Sequence, residues 1–242
     1  MLAQNDSGVG VKSGINAFGV KNLLGCFAPP FAVLNDTDFL NTLDARDRRA
    51  GIAEAVKVAL IRDSAFFEWL EDHVDGLRAG ATEITARMIQ RCAELHMRQI
   101  THGGDPFETG SARPLDYGHW SAHKLESVSG HTLRHGEAVA IGIALDSRYA
   151  VQTGLLEAGL EERICRLLEG LGFALWHPVM NNRDKNGNWL LLEGLQEFRE
   201  HLGGELSVTL LRDIGCSEEM RIMDDNQILQ AMDWLKDREL NR

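Results

Sequence analysis

Apolar residues recur at helical spacing over most of the chain, and that recurrence predicts a mainly α-helical protein. Between about Ala45 and Arg62, Ile52, Val56, Ala59 and Leu60 fall on one stripe. Glu54 lies beside that stripe and reads as a rim charge, within reach of Lys57 three residues on or of Arg46 a turn or two back. Ala65–Gly76 and Thr82–Ile100 read as two further helices, the second apolar at Ile84, Met88, Cys92 and Leu95. HWSAHKLE, beginning at His119, is a run of good helix formers, and Ala138–Leu145 is apolar on every side, as in a buried helix entered at His135 and Gly136. Glu157–Leu171 and Asn188–His201 are amphipathic, and Asp225–Leu235 closes the chain. Two stretches read as strand-like: the apolar run in residues 31–43, which ends in a Thr/Asp turn, and Glu205–Leu211. Trp69, Trp176, Trp189 and Trp234 are expected to pack against helices rather than to stack on ligands.

Between these elements lie polar segments. Residues 1–30 carry Gly8, Gly10, Gly14, Gly19 and Gly25, which predicts a loop whose amides can approach a ligand closely, or simply a flexible segment with solvated lysines. THGGDPFETGS, after the second long helix, is a candidate site edge, and HPVMNNRDKNGNW carries Asn-Gly turn chemistry.

Length and charge narrow the function classes. A chain of 242 residues can bury a sizeable core, as one large or two small domains. A net charge of -11 argues against nonspecific nucleic-acid binding and means that a phosphorylated ligand needs local basic residues. Cys26, Cys92, Cys165 and Cys216 are scattered, with no CxxC, so reduced thiols in the cytoplasm are the expectation. No apolar run reaches the roughly 18 residues of a membrane span.

The chemistry is concentrated between Arg113 and Leu145. His119 and His123 stand four apart, so on a helix both rings leave one face. His135 enters from the next element, and one carboxylate would complete a set for zinc or a similar divalent ion. On spacing alone, an exposed or hydrogen-bonded histidine pair is the commoner outcome.

Four motifs in order resemble the 3-dehydroquinate synthase family of sugar-phosphate cyclases. GHWSAHKLE followed by RHGEAVAIGI is similar to its GHxxxHxxE and LHGExVAIGM, LAQNDSGVGVKSGIN to its AQxDSSVGGKTGxN, GVKNLLGCFAPPFAVLNDTDFLNTL to its GKNxIGAFxxPxxVxxDTxxLxTL, and RAGIAEAVKVALI to its RxGxAExIKxxxI. The resemblance covers most of residues 2–145. It implies Glu54, His119 and His135 as metal ligands, His123 and Lys57 as catalytic residues, Asp6, Lys12, Lys21 and Thr42 as residues toward NAD, and Asn22, Asp116 and His96 toward substrate. It also implies a small-molecule sugar phosphate as partner, a homodimer in the full-length family, and the helical metal-binding domain of the dehydroquinate synthase-like fold over residues 45–242. Residues 1–44 would then be a short β-containing remnant of the nucleotide-binding domain and its connector. In the family a Rossmann-like domain of on the order of a hundred residues precedes this point. No GxGxxG with a following helix stands in this sequence, so most of the dinucleotide site is expected to be missing.

Departures from the family pattern cluster at the substrate grip. The family's Asn before GH is Asp116, its Arg a few residues earlier aligns with Ala112 with Arg113 one place late, one lysine is replaced by His96, and a C-terminal lysine by Arg199 or Glu200. In the synthases those positions hold the phosphorylated and carboxylate ends of the substrate, and an Asp in place of Asn repels a carboxylate. The resemblance therefore implies a cyclase subgroup with a different sugar phosphate, using NAD and a divalent metal to eliminate phosphate and close a carbocycle. A noncatalytic metal-binding or partner-binding relative is the alternative.

Overall fold

The computed structural model describes residues 1–17, 20–102, 114–201 and 206–242; of the side chains in these stretches, those of Lys12, Asn16, Val20, Lys21, Asn22, Pro114, Glu200 and His201 also lie outside the described set. The helices are α1 (Ala45–Arg62), α2 (Ser64–Asp72), α3 (Val74–Ala79), α4 (Thr82–His102), α5 (His119–Val128), α6 (His135–Gln152), α7 (Leu160–Gly170), α8 (Leu190–His201) and α9 (Asp225–Leu240). Two antiparallel hairpins complete the set, β1 (Lys12–Ala17) with β2 (Val20–Phe27) and β3 (Val208–Asp213) with β4 (Cys216–Met220). The mainly α expectation holds.

Helix α6 is the hub. It packs on α1, α5, α7, α9 and β3, while α5 leans on α8 and α4 lies against α1 and the N-terminal turn. Its apolar run explains this placement, because every residue from Ala138 to Ser147 is buried. Helix α1 is buried continuously from Ala50 to Ile61, and its small residues Ala50, Gly51, Ala53, Ala55 and Ala59 let neighbours come close. Both α1 and α2 start on an aspartate, Asp44 accepting from Asp47 N at 2.7 Å and Asp63 from Phe66 N at 3.0 Å.

Several sequence expectations need correction. Glu54 is fully buried, because α1 is covered on all sides and has no rim at that position. Residues 31–43 hold no strand: among the described residues no partner strand pairs with the apolar run, and a 3-10 turn follows at Thr37–Thr42. Helix 65–76 breaks at His73, whose ring stacks on Trp69 with centroids 4.3 Å apart and whose Nδ1 lies 2.8 Å from the Trp69 carbonyl. The glycine-rich start is not a loop throughout: Ala3–Ser7 forms a π-helical turn and Lys12–Ala17 pairs with Val20–Phe27. Strand β4 is unannounced by its sequence, because CSEEM has no apolar alternation. The four tryptophans named above are all partly buried against the core. Among the described residues no helix is long and apolar enough to cross a membrane.

Candidate metal centre

Three elements converge on one buried point. Helix α1 brings Glu54 and Lys57, the first turn of α5 brings His119 and then His123, and the first residue of α6 is His135. Glu54 Oε1 lies 3.1 Å from His135 Nε2 and 3.7 Å from His119 Nε2. One donor atom from each of the three lies within 4.8 Å of the other two. The rings of His119, His123 and His135 form a triangle with centroids 5.4 to 6.1 Å apart.

The start of α5 is fixed by Gly118, whose φ of 76° lies in the left-handed region and whose hypothetical Cβ would stand 2.8 Å from Ile143 N. Gly118 N donates to Asp146 Oδ2 at 3.0 Å and the Trp120 indole N–H to Asp146 Oδ1 at 2.8 Å, so one buried carboxylate on α6 holds the residues on either side of His119. At the start of α6, Glu137 Oε2 accepts from Arg134 N at 2.9 Å, and Arg46 clamps both Glu137 oxygens at 2.7 and 2.6 Å. Arg46 therefore serves Glu137 of the HGE motif, and Glu54 pairs with Lys57 at 2.5 Å.

Proton positions follow from the partners. His119 Nδ1 lies 3.0 Å from the Tyr117 carbonyl, which only accepts, so Nδ1 carries the proton and Nε2 presents its lone pair toward Glu54. Burial and the nearby Lys57 cation lower the His119 pKa, which keeps the ring neutral. His135 sits between two carboxylates, Glu126 Oε2 at 3.0 Å from Nδ1 and Glu54 at Nε2. Burial alone would lower its pKa, but those two acids carry it up to about 9. Glu54 is held well below the carboxylate range: burial pushes it up, and Lys57, His135 and His119 together override that. Lys57 is raised, because Glu54 and Asp6 outweigh its burial.

Asp6 and His96 extend the cluster. Asp6 Oδ1 is 4.0 Å from Lys57 Nζ and 3.3 Å from His96 Nδ1, and its pKa is lowered because Lys57 and His96 overcome burial. Asp116 is near enough to raise the proton affinity of Lys57 and His119. Thr42 stands outside this group, exposed, with its hydroxyl donating to the Phe39 carbonyl at 2.7 Å. The side chains of Lys12, Lys21 and Asn22, and the whole of Ala112, Arg113 and most of the THGGDPFETGS loop, lie outside the described residues.

Donor chemistry fits a divalent cation. Two imidazole nitrogens and one carboxylate oxygen form a recurrent catalytic zinc set, and each histidine has its other nitrogen on an acceptor, as metal-bound histidines do. Sequence reasoning missed Glu126 and Asp146. Glu126 was visible as the acid of HWSAHKLE, and Asp146 as a lone acid inside an apolar helix run.

Asp146 yields a test of its own. Burial pushes its carboxyl up to about 7 against the pull of the Trp120 and Gly118 bonds, from an ordinary value of 3.8. The folded state then holds the proton where the unfolded state has lost it. Stability contributed by this group should therefore fall as pH rises from about 4 to about 7, by on the order of 4 kcal/mol, and level off above that. Urea titrations of Asp146→Asn should lack that slope relative to the unaltered chain; equal slopes would assign the dependence elsewhere.

Comparison with known proteins identifies the family. The model of the 3-dehydroquinate synthase C-terminal region matches residues 51–188, and that of the N-terminal region matches residues 1–50. A 3-dehydroquinate synthase of Halorhodospira halophila is 38% identical over 216 residues, 89% of this chain and 59% of that protein. A 2-epi-5-epi-valiolone synthase of Streptomyces glaucescens is 34% identical over 226 residues, 93% of this chain and 56% of that protein. The solved structure of 2-epi-5-epi-valiolone synthase from Streptomyces hygroscopicus subsp. jinggangensis 5008, which has NAD+ and Zn2+ bound, superposes with a TM-score of 0.86 at 30% identity, over 98% of this chain and 64% of that one. The chain thus spans about three fifths of the length of these relatives. With the C-terminal model covering more than half of its residues and the same fold beneath them, the chain belongs to the 3-dehydroquinate synthase family.

Proposed function

We propose that this chain is the metal- and substrate-binding part of a sugar-phosphate cyclase, a carbon–oxygen lyase that eliminates phosphate and closes a carbocycle, and that its sugar phosphate lacks a carboxylate. The observation that carries this reading is the meeting of Glu54, His119 and His135 at one point, with Asp116 near enough to act on the Lys57 charge. A divalent ion, zinc or a similar metal, held by Glu54, His119 and His135 would act as a Lewis acid on a substrate oxygen. NAD, when bound, would supply transient oxidation of a substrate hydroxyl, with Asp6, Lys12, Lys21 and Thr42 as its proposed binding residues.

The chain's own groups set up the rest. Lys57 keeps the buried Glu54 and the half-buried Asp6 ionised. His123, half-buried with its ring 5.5 Å from that of His119, would carry a proton between substrate and solvent. Asp116 can accept a hydrogen bond from a substrate hydroxyl but repels a carboxylate. Asn22 and His96 complete the proposed grip, His96 through its position on Asp6.

The expected specificity follows. A heptulosonate phosphate meets Asp116 where the family pattern has Asn, and His96 where it has Lys. Losing two charge-assisted hydrogen bonds of roughly 1.5–3 kcal/mol each lowers kcat/KM about a hundredfold or more. The chain joined to the N-terminal part of a relative should convert sedoheptulose 7-phosphate in preference to the heptulosonate by that margin. Efficient conversion of the heptulosonate to 3-dehydroquinate would overturn the altered specificity.

A further inference from the structure

We propose a second divalent-cation site beside the first, formed by His123, Glu126 and His135, which fills when metal is in excess. One ligand atom from each of these residues lies within 4.8 Å of the other two, the same closeness as in the Glu54, His119 and His135 set. All three are half-buried, whereas Glu54 and His119 are buried, so this outer set is the more solvent-accessible of the two. His123 and Glu126 stand three apart on α5 and leave the same side of the helix, and the ring planes of His123 and His135 are 29° apart with centroids at 6.1 Å. Two imidazoles and a carboxylate again form a zinc donor set.

His135 is the shared element, and its two nitrogens divide the sites. Nε2 faces Glu54 and Nδ1 lies 3.0 Å from Glu126 Oε2. With the inner ion alone, Nδ1 keeps its proton and donates it to Glu126. When the outer ion binds, the Nδ1–H bond breaks, the proton leaves to solvent, and the Nδ1 electron pair goes to the metal. His135 is then an imidazolate between two dications. Removing that second proton makes the outer site the weaker of the two and couples its filling to proton release. It also withdraws His123 from proton transfer, so surplus metal inhibits. The inference deepens the proposed metal centre and depends on it only for the bridging role of His135.

Calorimetric titration of the chelator-treated chain with zinc, in two buffers of different ionisation enthalpy, is the test. Two binding events are expected, the weaker releasing about one additional proton. His123→Gln should remove the weaker event and leave the tighter one, with His123→Asn as the substitute should that variant fail to fold. Glu54→Gln should weaken the tighter event by roughly tenfold or more and leave the weaker one. Saturation at one ion in the unaltered chain, or a weaker event that survives His123→Gln, overturns the outer site. A weaker event that depends on His123 with no tighter event supports the outer site and removes the inner reading instead.

Discussion

Replacing Glu54 with alanine should destabilise the metal-free protein by about 3–5 kcal/mol, a large share of the stability of a domain of this size. Glu54 is 0% exposed and Lys57 2% exposed, and their side chains meet at 2.5 Å. Removing the acid leaves an ammonium group inside the core with Asp6, 4.0 Å away, and the weaker influence of Asp116 to answer its charge. The cost comes chiefly from that stranded charge, and the pair itself has little net worth compared with apolar side chains of the same volume. Glu54→Leu combined with Lys57→Met should accordingly recover most of the lost stability, and the double-mutant cycle should show strong coupling. Urea denaturation of the two singles and the double measures this. A loss below about 1 kcal/mol for Glu54→Ala would mean that water reaches Lys57 and that the buried pair is not as described.

Gly136→Ala should be the most disruptive of the small substitutions. In an exposed helix interior, glycine to alanine stabilises by about 1 kcal/mol. Here the added Cβ would stand 1.8 Å from the Ala50 carbonyl oxygen and 2.5 Å from its carbon, and backbone cannot rotate away as a side chain can. Helices α1 and α6 must separate, at a cost of about 3 kcal/mol or more. That separation also pulls His135, the residue before Gly136, away from Glu54 one turn beyond Ala50. Thermal unfolding and zinc affinity should therefore fall together. A variant of unchanged stability would show that the two helices do not touch at this point.

The helical core was legible because its apolar residues recur with helical period: α1 falls at Ala45–Arg62, as read from the sequence, and α6 begins at His135. Segments that depend on a partner were not legible. The run at residues 31–43 has strand composition, but among the described residues no partner strand pairs with it, and Phe31 and Leu34 stay exposed. The hairpin strand β4 has neither apolar alternation nor an apolar run. At the site, the spacing of His119 and His123 promised a shared face, and their rings do lie together. Periodicity placed Glu54 at a rim, because a one-dimensional stripe cannot show that small residues let neighbours cover a helix on every side. The second partner of each histidine, Tyr117 and Glu126, is a matter of backbone geometry and helix packing that no local pattern encodes.

Metal content tests the central claim most directly. Protein purified without chelators and supplied with one equivalent of zinc should retain about one ion per chain after desalting, measured by inductively coupled plasma mass spectrometry. His119→Ala, which deletes one ligand of the inner set while leaving Glu54 paired with Lys57, should retain almost none under the same treatment. Absence of metal in the unaltered chain, or full retention in His119→Ala, would contradict the assignment of Glu54, His119 and His135 as the metal centre.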